Sequence, residues 1–194
     1  MDKLETKRLI LRKPSLKYID DIFEGISEYD VAKRLVSVPY PYPKNDAIIW
    51  IKSAIKAWDK KQKYHFFIEL KSEKKVIGCM SLGEIDAWSG TAKTGSWINK
   101  KYWRNGYITE AKIAVNDFAF NKLKLRRIES PVFSDNQASN ATQRKMGYIL
   151  EGVKKKAVKS KTTGKIYDEN IYGLLKEDWK KRRIILIKEM NTKI

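Results

Sequence analysis

The stretch N-K-K-Y-W-R-N-G-Y-I-T-E-A at residues 99–111 is where the chain's residue types and spacing point most directly to a ligand. It leads from a strand-like segment into a helical one, and Gly106 lets the backbone approach a bound group closely. The first-turn amides of residues 104–109 have no intrahelical acceptors and lie at the positive end of the helix dipole, which suits a diphosphate. Lys100, Lys101 and Arg104 add mobile positive charge. Any strand, loop and helix joined by one glycine could be read this way, so the segment is a weak signal by itself. Nucleophilic chemistry has less to work with. His65 is the only imidazole and lies in the apolar run YHFFIEL, where a packed or surface strand histidine is expected. Cys79, in VIGCMSL, reads as a small buried hydrophobe. One Cys and one His permit no intramolecular disulfide and too few soft ligands for structural zinc.

The elements that must hold this loop follow from periodicity. RLILRK at 8–13 alternates as a strand, and Ser15 is placed to cap a helix whose Tyr18, Ile19, Ile22, Phe23 and Ile26 share a face. PYPYP at 39–43 marks a loop. A second amphipathic helix is predicted over about 46–61, its apolar side built from Ile49, Trp50, Ala54, Ala57 and Trp58. From Tyr64 the period becomes two, and YHFFIELK, KKVIGCMSLGEI and TAKTGSWINK predict three strands of an antiparallel meander. A long helix over about 106–122, a strand at RRIESPVF, a short helix over 137–146, strands at GYILEGVKKK and DENIYGLL, and a charged helix complete the chain. The strand-helix-strand step from 91 to 133 is long enough to pair its strands in parallel. A helix that starts just after a strand in such a unit is where an anion docks.

Length and composition set the class. A chain of 194 residues favours one core, and 42% hydrophobic residues with only 10 Gly and 5 Pro exclude disordered and collagen-like chains. No apolar stretch approaches the ~20 residues that cross a bilayer, and MDKLETKRLILRK lacks the apolar core of a signal peptide, so a soluble cytoplasmic protein without a membrane partner is expected. The formal net charge is +18, carried by far more lysine than arginine. Two segments concentrate it: residues 154–165, KKKAVKSKTTGK, and the tail from Lys176. Each reads either as a solvated face or as a surface for an anionic partner.

Four motifs together resemble the GNAT superfamily of acetyl-CoA-dependent N-acetyltransferases, in particular its RimJ/RimL-type branch, whose namesakes modify ribosomal-protein N-termini. LETKRLILRKPSLKYIDDIFE is similar to the branch's opening strand and first helix, and VIGCMSLGEID with TAKTGSWINKKYWRNGYITEA to its central strands and pyrophosphate loop. LRRIESPVFSDNQASNATQRKMGYILEGV resembles the fifth strand and CoA-flanking helix, and YDENIYGLLKEDW the closing strand. The resemblance spans about residues 4–179. It implies an α/β GNAT fold, a mixed and mostly antiparallel sheet of about seven strands flanked by helices. The acetyltransferase domain would be residues 1–179, with residues 180–194 a basic C-terminal helical extension.

The same resemblance implies acetyl-CoA as cosubstrate, with no metal. The backbone of Trp97, Ile98 and Asn99 would pair with the pantetheine arm, and the amides of Arg104, Asn105, Gly106, Tyr107, Ile108 and Thr109 would hold the pyrophosphate. Asn136 matches an asparagine beside the pantetheine, and Ser139 a serine near the thioester sulfur. Three positions depart from the pattern. Ile108 stands where the loop usually has Gly or Ala, so its side chain is expected to crowd the diphosphate. Lys93 replaces a glutamate used as general base, and Gln143 a tyrosine used by many members as general acid. Replacement bases are Glu84 or Asp86, beside Lys93, or Asp168 on the closing strand, with Ser139 as the hydrogen-bond donor to the leaving thiolate.

The expected reaction is direct transfer of an acetyl group to a primary amine. A protein or peptide α-amine, with a pKa of about 7.7–8.0, is an easier nucleophile than a lysine side chain near ~10.4. The alternatives are a small-molecule amine as acceptor, or a catalytically weak CoA-binding protein that docks on RNA or the ribosome through its basic surface. A monomer or homodimer fits either reading. Trp88, Trp97, Tyr102 and Trp103 are read as packing residues, with a substrate groove between Trp88 and the 39–43 loop as the alternative.

Overall fold

The computed structural model describes residues 2–191. Its strands are β1 (Lys3–Glu5), β2 (Leu9–Arg12), β3 (Tyr64–Leu70), β4 (Lys75–Asp86), β5 (Thr91–Ile98), β6 (Arg127–Phe133), β7 (Ile149–Lys159) and β8 (Ile166–Leu175). The helices are α1 (Ile19–Ile26), α2 (Tyr29–Ala32), α3 (Lys44–Asp59), α4 (Tyr107–Asp117), α5 (Gln137–Lys145) and α6 (Lys176–Asn191). One eight-stranded sheet runs β1-β2-β3-β4-β5-β6-β8-β7. The strand beyond the expected seven is β1, three residues long and paired antiparallel to β2.

Strand alternation divides the core into two layers. Phe66, Ile68 and Leu70 of β3, Ala92 of β5, Ile128 of β6 and Leu174 of β8 point to one face and pack with Ala111 and Val115 of α4. Phe67 and Cys79 point to the other, against Tyr18, Ile22 of α1 and Ile51 of α3. Ser15 caps as expected, but for a 3-10 turn, Leu16–Tyr18, that leads into α1. On α3 the buried side is Ala47, Ile51, Ala54 and Trp58, the i, i+4, i+7, i+11 series of one helical stripe, and Ile49 lies outside it, exposed. Gly25 of α1 is held to glycine by contact: a Cβ there would sit 2.8 Å from the Trp97 ring.

All but one of the strand pairings are antiparallel. The exception joins β5 to β6 in parallel over only three pairs, Thr91↔Arg127, Ala92↔Ile128 and Lys93↔Glu129. Past Lys93 the rest of β5 pairs with β4 alone, and past Glu129 the rest of β6 pairs with β8 alone, so the sheet splits between them. The α4 connection leaves from the parted end of β5, and α5 follows the parted end of β6.

The expected division at residue 179 falls inside α6. Trp179 is buried and donates Nε1–H to Asp117 Oδ1 at 2.9 Å, Arg183 Nε bonds the same carboxylate, and Leu186 is fully buried in the main core. Through Leu186, α6 packs as part of the domain.

Candidate active site

The loop before α4 is shaped by two left-handed residues, Arg104 (φ 65°) and Gly106 (φ 76°). Alternation of this kind turns successive N–H groups to one side and forms a concavity for an anion. The amides of residues 104–109 donate to no acceptor among the described residues, and residues 104–106 are exposed. The loop is pinned from behind. Glu110, 4% exposed, accepts from Arg8 Nε (2.7 Å), Arg8 N–H (2.8 Å) and Thr6 Oγ1 (2.7 Å), while Arg8 Nη1 donates to the Asn105 carbonyl at 3.0 Å. The Arg8 side chain is 40% exposed, so solvent screens the ion pair, and its main effect is to fix the position of the loop. Ile108 packs its side chain against the main core, and its N–H stays in the row.

The flanking lysines are less mobile than the sequence suggests. Lys100 Nζ lies 2.6 Å from Asp30 Oδ2, and Lys101 Nζ 2.5 Å from Glu24 Oε1. Lys100 and Lys33 hold the Asp30 carboxyl down to about 2. Of the three cations expected beside the loop, Arg104 is the one without a carboxylate partner.

Along β5, the Asn99 N–H is committed to the Ile77 carbonyl at 2.8 Å, on the β4 side. Alternation therefore turns the backbone groups of Ser96 and Ile98 toward the split, and those of Trp97 and Asn99 back toward β4. The Ile98 carbonyl receives Trp103 Nε1 at 2.9 Å, which lays that half-exposed indole at the mouth of the gap. Of the three residues expected to pair with a pantetheine arm, Ile98 is the one whose groups face the right way, and Ser96 joins it.

The opposite wall is α5. Asn136 caps it, Oδ1 accepting the Ser139 N–H at 3.3 Å, and Ser139 Oγ has no partner among the described residues. Asn140 ties the helix to the sheet by donating to the Phe133, Ser134 and Asn136 carbonyls and accepting from Asn170 and Tyr172. Gln143 is buried and accepts Lys112 Nζ of α4 at 2.7 Å. Burial pushes the Lys112 ammonium down to about 7.

On the other face of the split, Lys93 pairs directly with Glu129, and Glu169, which pairs with Phe133 four residues further along β6, points to the same face by strand alternation. Lys93 Nζ is 2.6 Å from Glu84 Oε2 and 4.0 Å from Glu129 Oε1. The hydrogen bond to Glu84 holds its ammonium above the ordinary lysine range, so Lys93 is no base. Glu84 is exposed on a bulge of β4 and engaged by Lys93. Asp168 is pinned by the Lys156 N–H (2.8 Å) and Lys155 Nζ (3.0 Å), and these bonds lower its proton affinity. Asp86 is likewise lowered, by its bonds to Ser89. The sequence reading passed over Glu169. Half-buried on β8 and without an ion pair, it has its carboxyl pushed up by burial while Lys154 and Lys93 pull the other way.

The remaining candidates resolve simply. His65 stacks edge-on against Trp50 at 5.2 Å, and burial pushes its imidazole down to about 3, so it is neutral. Trp88 is 98% exposed at the turn after β4, so it is not a packing residue. Trp97 packs under α1, and Tyr102 donates to Glu73 Oε2 at 2.6 Å.

Comparison with known proteins agrees with this geometry. Residues 8–149 match the family described as Acetyltransferase (GNAT) domain. The Uncharacterized N-acetyltransferase YoaA of Bacillus subtilis (strain 168) is 32% identical over 173 residues, which are 89% of this chain and 96% of that protein. The ribosomal-protein-serine acetyltransferase of Escherichia coli (strain K12) is 32% identical over 85 residues, 44% of this chain and 48% of its own. Among solved structures, the Microcin C7 self immunity acetyltransferase MccE in complex with acetyl-CoA and AMP superposes with a TM-score of 0.76 at 26% identity, covering 88% of this chain and 93% of that one. A mixed eight-stranded sheet split beside a helix N-terminus, with a family match over most of its length, makes this chain an N-acetyltransferase of the GNAT family.

Proposed function

We propose that the chain transfers the acetyl group of acetyl-CoA directly to a primary amine, with a protein or peptide N-terminal α-amine as acceptor. The observation that carries the reading is the split sheet opening beside six amides that no acceptor among the described residues uses. GNAT acetyltransferases use acetyl-CoA, and the residues present fit it. The row 104–109 matches a diphosphate, the outward groups of Ser96 and Ile98 match the amides of a pantetheine arm, and Asn136 and Ser139 line the far side.

The acceptor comes from the face that bears Glu129 and Glu169. Glu169 takes the amine's proton: half-buried and unpaired, it has a proton affinity above the ordinary carboxylate range, closer to what a base at neutral pH requires. An α-amine is already partly neutral at that pH, so a carboxylate suffices. The relative whose name specifies a ribosomal-protein serine favours a protein acceptor. The six lysines of residues 154–165 lie on the hairpin of β7 and β8 at one margin of the sheet and add long-range attraction to an anionic carrier of that acceptor, such as a ribosome.

Thiol release from acetyl-CoA tests the reading. Short peptides with free N-termini should be acetylated faster than Nα-blocked peptides carrying lysine and faster than small amines. Calorimetry should show acetyl-CoA binding; no heat at millimolar ligand sinks the proposal, and preference for a small amine replaces the acceptor.

A further inference from the structure

Lys112 and Gln143 form a buried pair for which the transfer so far described has no use. Lys112, in the second turn of α4, is 1% exposed and Gln143 is 4% exposed. Nζ donates to Gln143 Oε1 at 2.7 Å and lies 4.7 Å from the centroid of the Tyr148 ring, while Tyr148 itself bonds Asn116. Among the described residues no carboxylate pairs with Lys112. Packing alone would be served better by an apolar side chain, because an ammonium buried without a counter-ion opposes folding.

The pair also dictates an orientation. An ammonium has donors only, so the amide oxygen of Gln143 must face it and the Nε2 hydrogens must point away. Nε2 donates to no described residue, and it is absent from the sealed polar atoms without partners, which are Arg12 Nε and Asn116 Nδ2. Ser139 stands one turn earlier on α5, its Oγ also without a partner among the described residues. Two donors at i and i+4 thus share one side of α5, and a buried lysine stands behind one of them.

Resting on the acetyl-transfer reading, we infer that Lys112 is a positioning residue: it locks the Gln143 amide so that Nε2 donates to the sulfur of the leaving thiolate, and it supplies that anion's counter-charge. In the step, a bond forms from the acceptor nitrogen to the acetyl carbon, and the carbon–sulfur bond breaks with its electron pair left on sulfur. The amine's proton passes to Glu169 and from there to solvent. The thiolate leaves hydrogen-bonded to Gln143 and takes a proton from water after release.

The thiol of bound CoA reports on this pair without any acceptor. Its ultraviolet thiolate absorbance is titrated on the intact protein, on Lys112→Met, on Gln143→Met and on the double variant, each with CoA bound. In the wild type the bound thiol should titrate at least about one pH unit below free CoA. Each single variant should move it back toward the free value and lower kcat about tenfold, with KM for acetyl-CoA changed by less than about threefold. The double variant should lose no more than either single one, because the two residues act as a unit. Lys112→Met removes a buried charge and should fold; should it not, Gln143→Met carries the test. An unchanged thiol titration in variants that bind CoA, or additive losses, overturns the inference and leaves acetyl transfer standing. Failure of CoA to bind the wild type overturns both.

Discussion

Lys93 and Lys112 stand on opposite faces of the same split in the sheet, and their surroundings drive them in opposite directions. Lys93 is partly exposed beside Glu84 and Glu129, and these carboxylates hold its proton more tightly than usual. Lys112 is sealed between α4 and α5 with a neutral amide as its hydrogen-bond partner, and burial loosens its proton to about 7. One face groups Lys93 with Glu84, Glu129 and Glu169, where the proposed reaction would bring the amine. The other holds the Gln143 amide and a buried lysine with no carboxylate partner among the described residues, which the inference above assigns to the departing anion. In the proposed reaction the two faces would divide proton acceptance from leaving-group stabilisation, although each carries a lysine.

Four changes break or sharpen this contrast. The largest effect is expected from Glu169→Gln, which removes the acceptor of the amine proton: kcat should fall about 100-fold or more, and the acid limb of the pH profile should disappear. Thiol release at saturating acetyl-CoA, measured from about pH 6 to pH 9, checks it; activity within about threefold of wild type would place the base elsewhere.

Stability should separate the faces next. Because the Lys112 value is lowered to about 7 from 10.5, the unfolded chain holds a proton that the native chain sheds between those limits. Native stability therefore rises with pH across that interval, and the destabilisation is fully present below about 7. Lys112→Met should exceed the wild type in urea midpoint at low pH by a margin that narrows as pH rises. A margin independent of pH would mean that no charge is buried there.

Lys93→Met should act more gently and through Glu169. Lys93 lowers the Glu169 value, so its removal should shift the acid limb of the rate profile to higher pH and leave the plateau nearly unchanged. The smallest effects are expected from Asp168→Asn and Glu84→Gln, within about twofold in kcat, since both carboxylates are occupied by lysines or a backbone N–H. A large loss in either one would return that residue to the list of bases.

The loop before α4 was legible because its features are local: Gly106, the start of an apolar period and the acceptor-free first turn all lie within a dozen residues. The cap at Asn136 was legible for the same reason. The direction of the Ile108 side chain was not legible, because a residue type gives no direction, whereas the core beside α4 gives it one. Glu169 escaped notice because nothing in DENIYGLL marks it apart from Asp168. Only the pairing of β8 with β6, whose partner β5 carries Lys93, sets one carboxylate on the acidic face while two backbone and side-chain donors pin the other.

The sequence by itself determined most of the element order, with β1 and α2 the exceptions, and the strand-loop-helix passage before α4, since these depend on periodicity and residue type. Tertiary structure alone decided where the parallel pairing stops, which backbone groups face the gap, and that Lys112 is buried against Gln143 rather than one more surface lysine among 41 basic residues. Charge is a property of a residue, but its proton affinity is a property of what surrounds it, and those surroundings come from segments far apart in the chain.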